Sequence, residues 1–251
     1  MGKLKLKSKH RLLCGDSTSE SDVARLMDGE NADLCFTSPP YNAGSNSLGG
    51  NKNRTKSKYL NDDDNKEGED WLRLISLTLK NVQTWTKNQA FNIQQLAGNK
   101  IALIDFLHDF RFYYSDVAIW YKGGGQPAMQ ESVMNSRFEF VFIFSRKENA
   151  MRKIESGKFR NVSNVFELNP TGKNPNTEVH AAVFPVEFVS HYLGYLSRKS
   201  VVDPFMGSGT TLIACEQLNR KCYGMEIDPL YCDVVVKRWE NLTGKKATLD
   251  A

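Results

Sequence analysis

The chain has 251 residues, 40% of them hydrophobic and 25% charged, with a formal net charge of +4. Those values exclude a disordered or fibrous chain, leave room for a substantial core, and permit a polyanionic partner without requiring one. No run of 18 apolar residues occurs, and "MGKLKLKSKH" lacks the apolar stretch of a signal peptide, so a soluble protein without a membrane partner, kept inside the cell, is expected. In chain order, the alternation in "KLKLKSKHRLLCGDS" predicts a basic edge ribbon ending in a turn at Gly15-Asp16. "SESDVARLMDGE" has a capping serine and helical spacing, and "ADLCFTSPPY" reads as a strand running into a loop. Residues 44–69 are polar and rich in Gly and Asn, which marks a functional or flexible loop. A helix is expected from about Trp71 to Trp85, then a strand in "QAFNIQQL", a helix in "KIALIDFLHDF" and a strand in "YYSDVAIWYK". "RFEFVFIFSR" alternates and is rich in aromatic residues, so it is a strand. After a second polar stretch come a helix in "PVEFVSHYLGYLS", a strand in "SVVDPF" and a helix in "TTLIACEQLN". "KCYGMEID" is the last strand and "PLYCDVVVKRWENLT" the last helix. Strands alternating with helices give a single α/β domain over residues 1–251, a mostly parallel sheet with helices on both faces.

The five cysteines are odd in number and form no CxxC pair; they read as reduced structural thiols, with no metal site. The clearest chemical signal lies in "SVVDPFMGSGTTLIACEQL". An apolar strand ends at Asp203, glycines follow at 207 and 209, and a helix starts at Thr210-Thr211. Such a turn lets backbone approach a ligand and presents free helix N–H groups to it. Glu226, at the end of the next strand, stands where a ribose diol is gripped in nucleotide folds. Together they point to a nucleoside-containing cofactor, and the absence of GxxxxGK[ST] argues against an NTPase.

Taken in order, "GDS", "TSPPY", "DPFMGSGTT" and "GMEID" resemble the motifs of the S-adenosylmethionine-dependent amino-methyltransferases of DNA, in the arrangement of their β group. The resemblance implies a Rossmann-like sheet of seven strands, one antiparallel, with the cofactor at the carboxyl ends. It implies that Asp16 meets the adenine, that Glu226 holds the ribose, and that Asp203, Pro204, Phe205, Gly207, Ser208, Gly209, Thr210 and Thr211 surround the methionine part. Thr37, His180, Ile227 and Asp228 complete the implied cofactor set, His180 through "EVHAAVFP".

The same resemblance gives Ser38, Pro39, Pro40 and Tyr41 the catalytic role. An exocyclic base amine is a poor nucleophile because its lone pair is delocalised into the ring. Acceptors that hold its N–H bonds out of the ring plane localise that pair. The Ser38 hydroxyl and the Pro39 carbonyl suit this, because prolines cannot continue the strand and leave a rigid loop. Tyr41 offers a stacking surface to a base flipped from the duplex or single-stranded. Methyl transfer is then an in-line displacement that needs orientation more than a strong base or a metal. Cytosine N4 is favoured over adenine N6 by the serine and by "HAAVFP"; methylation of RNA or of protein glutamine is the further alternative, made less apt by the motif order.

Between Ser145 and Thr177 the chain is short and basic where the family usually inserts its target-reading region. Arg152, Lys153 and Lys158 are expected to hold DNA phosphates there, which carry no sequence information. Selectivity would then be slight, or be supplied by an additional targeting domain or subunit; a homodimer is the other partner expected. The 44–69 loop is expected to be solvated and flexible, with a lid that closes over DNA as the alternative. Arg137 and Glu139 are expected to form strand-edge ion pairs, with positioning of DNA or the loop as their alternative role; Trp120 and Phe91 are expected to pack in the core.

Overall fold

Parallel strands need a crossover between them, and the alternation of elements supplies one each time. The computed structural model describes residues 3–6, 10–42, 68–126, 131–149, 151–169 and 185–250. Its first half runs β1 (Lys3–Leu6), β2 (Arg11–Cys14), α1 (Glu20–Met27), β3 (Ala32–Thr37), α2 (Gly68–Gln83), β4 (Thr86–Ile93), α3 (Lys100–Asp109) and β5 (Tyr114–Gln126). The second half runs β6 (Ser136–Ser145), β7 (Val165–Glu167), α4 (Val186–Leu196), β8 (Ser200–Asp203), α5 (Thr210–Gln217), β9 (Lys221–Glu226), α6 (Pro229–Thr243) and β10 (Ala247–Asp250).

One sheet forms in the order β10-β1-β2-β9-β8-β3-β4-β6-β5-β7. Its central seven, β2 to β5, are the expected sheet, with β6 the one strand antiparallel to both neighbours. Three short strands extend it. β1 and β10 form an antiparallel ribbon beyond β2, and β7 adds in parallel to β5. β7 and β10 were not expected: β7 has only three residues, and neither carries an apolar run bounded by turn residues. β4 begins at Thr86 rather than near Gln89, since Thr86, Asn88 and Gln89 are buried and hydrogen-bonded despite their polarity.

Side chains alternate across each strand, so the sheet has two cores. Leu34, Phe36, Ala90 and Trp120 face α4, α5 and α6; Cys35, Phe91 and Phe144 face α1, α2 and α3. Trp120 and Phe91 are core residues as expected. Each large side chain buried this way stabilises the fold by about 1.5–3 kcal/mol. The connection from β8 passes through α5 to β9 on one side, while β3 passes through α2 to β4 on the other. The sheet therefore reverses its winding between β8 and β3, and a crevice opens outside their carboxyl ends. Asp203 ends β8 and Thr37 ends β3, so the two lie side by side at that point.

Candidate active site at the carboxyl ends of the strands

The Thr37 hydroxyl donates to Asp203 Oδ1 at 2.6 Å, and the Phe205 amide donates to the same oxygen at 3.1 Å. Burial pushes the Asp203 carboxyl above its ordinary pKa, and these donors pull against that. Pro204 is buried and Phe205 half-buried beyond it. The chain then turns through Gly207 (φ 52°) and Gly209 (φ 85°), left-handed conformations that glycine adopts without strain. A side chain at Gly209 would also press on Val235, 3.0 Å away. Thr210 and Thr211 start α5 and are buried. From α6, Arg238 Nη1 donates to the Ser208 carbonyl at 3.1 Å and to Thr210 Oγ1 at 3.2 Å, bracing the turn.

Glu226 ends β9 beside this turn. Its Oε2 accepts the Gly207 amide at 2.7 Å and its Oε1 the Asp228 amide at 3.1 Å. Burial raises its pKa while the amides oppose the rise. The Gly15 amide donates to the Glu226 carbonyl at 3.0 Å, which brings Asp16 next to it. Asp16 Oδ1 accepts the Thr18 amide and hydroxyl, both at 2.8 Å, and its other oxygen has no hydrogen bond among the described residues. Ile227 exposes 54% of its surface there, an apolar face available to a flat ring. These residues fit an adenosyl and amino-acid ligand: an acid with spare acceptor capacity, an apolar platform, a glycine turn and helix N–H groups. Asp228 Oδ1 accepts the Leu230 amide at 2.8 Å and caps α6, while Thr37 spends its hydroxyl on Asp203.

Ser38 follows β3 directly. Pro39 is buried, and its carbonyl accepts no hydrogen bond among the described residues, whereas Trp71 Nε1 donates to the Pro40 carbonyl and Asn99 Nδ2 to that of Tyr41 at 2.7 Å. The loop is thus pinned on both sides of one open acceptor. Ser38 Oγ lies 2.7 Å from the Tyr41 hydroxyl and 3.1 Å from Asn92 Oδ1. The Tyr41 hydroxyl is 2.8 Å from Asn92 Oδ1 and 2.8 Å from Glu139 Oε2. Asn92 Nδ2 donates to the Phe140 carbonyl at 3.1 Å, and Glu139 pairs with Lys122. Tyr41 is therefore more than a stacking surface, since its hydroxyl joins Ser38 to a buried carboxylate.

Asn92, Asn99, Trp71, Lys122 and Arg238 were not anticipated. A signal existed for Asn92 and for the fuller role of Glu139: a polar residue between Phe91 and Ile93, and an acid inside "RFEFVF". Buried polar groups in apolar strands need partners, and those partners proved to be Ser38 and Tyr41 of the loop after β3. Glu139 forms the expected ion pair, whereas Arg137 forms none among the described residues; its Nε donates to the Gly123 carbonyl at 2.6 Å and its guanidinium lies over the Tyr121 ring.

Arg152, Lys153 and Lys158, expected to hold DNA phosphates, are not brought to this site. β6 runs against its neighbours, so the chain leaves it at the amino ends of the parallel strands, where the Arg146 amide meets the Lys87 carbonyl. Arg152 is paired there with Asp116 at 2.9 Å, and the Lys158 amide bonds the Tyr195 carbonyl at the end of α4. His180 and residues 44–67 of the expected lid lie outside the described residues; the last two lid residues, 68 and 69, begin α2.

The sequence profile of a family described as DNA methylase, of the N6 and N4 type, matches residues 32–237. The type II methyltransferase M.Cfr9I of Citrobacter freundii is 30% identical over 141 residues, covering 53% of this chain and 46% of that protein. The chain thus spans about half the length of that relative. M.SmaI of Serratia marcescens is 25% identical over 272 residues, covering 91% of this chain and 90% of that one. Among solved structures, the PvuII DNA methyltransferase, titled cytosine-N4-specific, superposes with a TM-score of 0.67 at 20% identity, over 95% of this chain and 89% of that one.

Proposed function

We propose that this chain, which belongs to the DNA methylase family, transfers a methyl group from S-adenosylmethionine to an exocyclic amine of a DNA base, cytosine N4 ahead of adenine N6. The observation that carries the reading is the pairing of two acceptors, the Ser38 hydroxyl and the open Pro39 carbonyl, with a glycine turn and ribose-type acid across the same crevice.

The cofactor supplies an electrophilic methyl group on a sulfonium sulfur. Glu226 and Asp16 have acceptor capacity left for ribose hydroxyls and a base amine, and the α5 N-terminus with its glycine turn suits the amino-acid end. Ser38 and Pro39 take the two N–H bonds of the target amine and turn its lone pair toward the crevice. Tyr41, fixed by Asn92 and Glu139, holds the base plane. A base stacked in a duplex cannot enter a recess at strand ends, so the target is swung out or single-stranded.

Serine in the first motif position favours cytosine N4, since a hydroxyl accepts a weaker hydrogen bond than the carboxylate found in many adenine enzymes. The likeness to a structure titled cytosine-N4-specific supports the same choice. Nucleoside mass spectrometry after incubation with unmethylated genomic DNA decides it. N4-methylcytosine as the major product is expected; N6-methyladenine alone would assign the other amine, and no methylated base would remove the reading.

A further inference from the structure

A serine cannot keep a proton that it receives. If Ser38 takes one from the substrate, it must pass its own proton onward, and the structure provides one route. Ser38 Oγ, the Tyr41 hydroxyl and Glu139 Oε2 stand in series, at 2.7 and 2.8 Å. Asn92 Oδ1 lies within 3.1 Å of both hydroxyls and aligns them, but a neutral amide takes no proton. Glu139 is only 4% exposed, in a strand whose neighbouring residues are Phe138 and Phe140. Such a burial is costly unless the carboxylate is paired and used. Lys122, from β5, occupies Oε1 and leaves Oε2 to Tyr41. The groups facing Glu139 among the described residues are therefore Lys122 from β5, the Tyr41 hydroxyl from the loop after β3, and neutral Asn92 from β4.

We infer that Glu139 is the terminal proton acceptor of methyl transfer, drawing the surplus proton of the methylated amine through Ser38 and Tyr41. The inference rests on the proposed function, with Ser38 facing the amine. Forming the new N–CH3 bond leaves that nitrogen positively charged with both of its hydrogens. One N–H bond breaks and its proton goes to Ser38 Oγ; the Ser38 proton goes to the Tyr41 oxygen; the Tyr41 proton goes to Glu139 Oε2. An amine cation and a carboxylate become a neutral methylamine and a carboxylic acid, and both hydroxyls are restored. The motif holds no carboxylate of its own, and β6 supplies one at two hydroxyls' remove. Glu139 is thus a positioning residue that also receives the proton, acting through Tyr41 and Ser38.

Glu139→Gln keeps the shape and an oxygen for Tyr41 but cannot take a proton. Single-turnover methyl transfer to unmethylated genomic DNA, with saturating S-adenosylmethionine, is measured against pH and in D2O. The variant is expected to be about a hundredfold slower, the scale of general base catalysis. It should also lack the acid-side decline in rate that a carboxylate acceptor would give the wild type, with cofactor affinity by calorimetry unchanged. Tyr41→Phe leaves the Glu139–Lys122 pair intact and severs the route, so it carries the test if the glutamine variant fails to fold. It should show the same loss, and the double variant should be no slower than either single one. A glutamine variant with wild-type rate and wild-type pH profile overturns the inference, as do losses that multiply in the double variant. A wild-type protein that methylates no DNA would instead overturn the proposed function.

Discussion

Two carboxylates at opposite ends of the same strand, Glu30 beside the start of β9 and Glu226 at its end, are satisfied in different ways. Glu30 receives Arg11 at 3.0 Å, Lys221 at 2.7 and 2.8 Å on its two oxygens, and the Tyr223 hydroxyl at 2.6 Å. A carboxylate offers roughly four acceptor positions, so its capacity is filled, largely by cations. Glu226 receives backbone amides and no cation among the described residues. The hydrogen bonds of Lys221 and then Tyr223 hold Glu30 down to about 2, whereas burial pushes Glu226 up. A filled acid ties elements together, while an acid buried with capacity to spare is prepared for a ligand. The same contrast separates His10 from Asp16. His10 accepts the Cys222 amide at 3.0 Å and meets Glu216 at 2.5 Å, joining β2 to β9 and α5, while Asp16 keeps one oxygen open.

The contrast breaks most visibly at Ser38. Ser38→Ala removes an acceptor for the amine and leaves the cofactor crevice intact, so single-turnover methylation should fall about a hundredfold or more with unchanged S-adenosylmethionine affinity. A variant that loses cofactor affinity instead would place Ser38 on the wrong side of the crevice. Glu226→Ala should do the reverse. Hydrogen bonds to a charged group contribute about 1.5–3 kcal/mol, so cofactor affinity should weaken roughly 10- to 100-fold. Titration calorimetry on protein with wild-type circular dichroism measures this, and unchanged affinity would sink the ribose assignment.

At the other end, Glu30→Gln tests stability rather than binding. A carboxyl held below its unfolded pKa contributes stability above that value and loses it as pH falls toward the folded one. For Glu30 the window runs from 4.5 down to about 2. The group is 46% exposed, so solvent screening limits the contribution to about 1 kcal/mol. Chemical denaturation should show the variant less stable by that amount at pH 7, with the gap closing below pH 4.5. A gap that persists at pH 2 would mean that weakened packing, not charge, explains it.

How much of this was readable beforehand depends on the length of the pattern. The seven central strands carry apolar runs or alternation bounded by turns, and both glycines of the cofactor turn mark themselves by type. Three-residue β7 and β10, Ala247–Asp250, have no such apolar run. In the site, Ser38, Asp203 and Glu226 stand at strand ends, where chain order alone locates them. Asn92 and Glu139 lie 54 and 101 residues beyond Ser38; the parallel register of β3 with β4 brings the first to it, and the antiparallel register of β4 with β6 brings the second. The place of the basic segment was hidden for a related reason. Its charge was legible, but the end of the sheet at which it emerges follows from the direction of β6, which composition does not reveal.

That placement gives the prediction with the smallest expected effect. Changing Arg152, Lys153 and Lys158 together to Ala removes three positive charges, the group first expected to hold DNA. All three are exposed or lie in a segment at the amino ends of the strands, away from Ser38. Arg152 loses only a surface pair with Asp116, which is worth about 0–1 kcal/mol. Single-turnover methylation of unmethylated DNA should therefore stay within about twofold of wild type. The salt dependence of DNA binding is the sharper measure, because its slope falls by about one for every phosphate the protein no longer neutralises. An unchanged slope leaves the carboxyl-end surface as the DNA-facing side. A slope reduced by about three would show that DNA wraps to the opposite end of the sheet, and the separation of a ligand-binding end from a structural end would no longer hold.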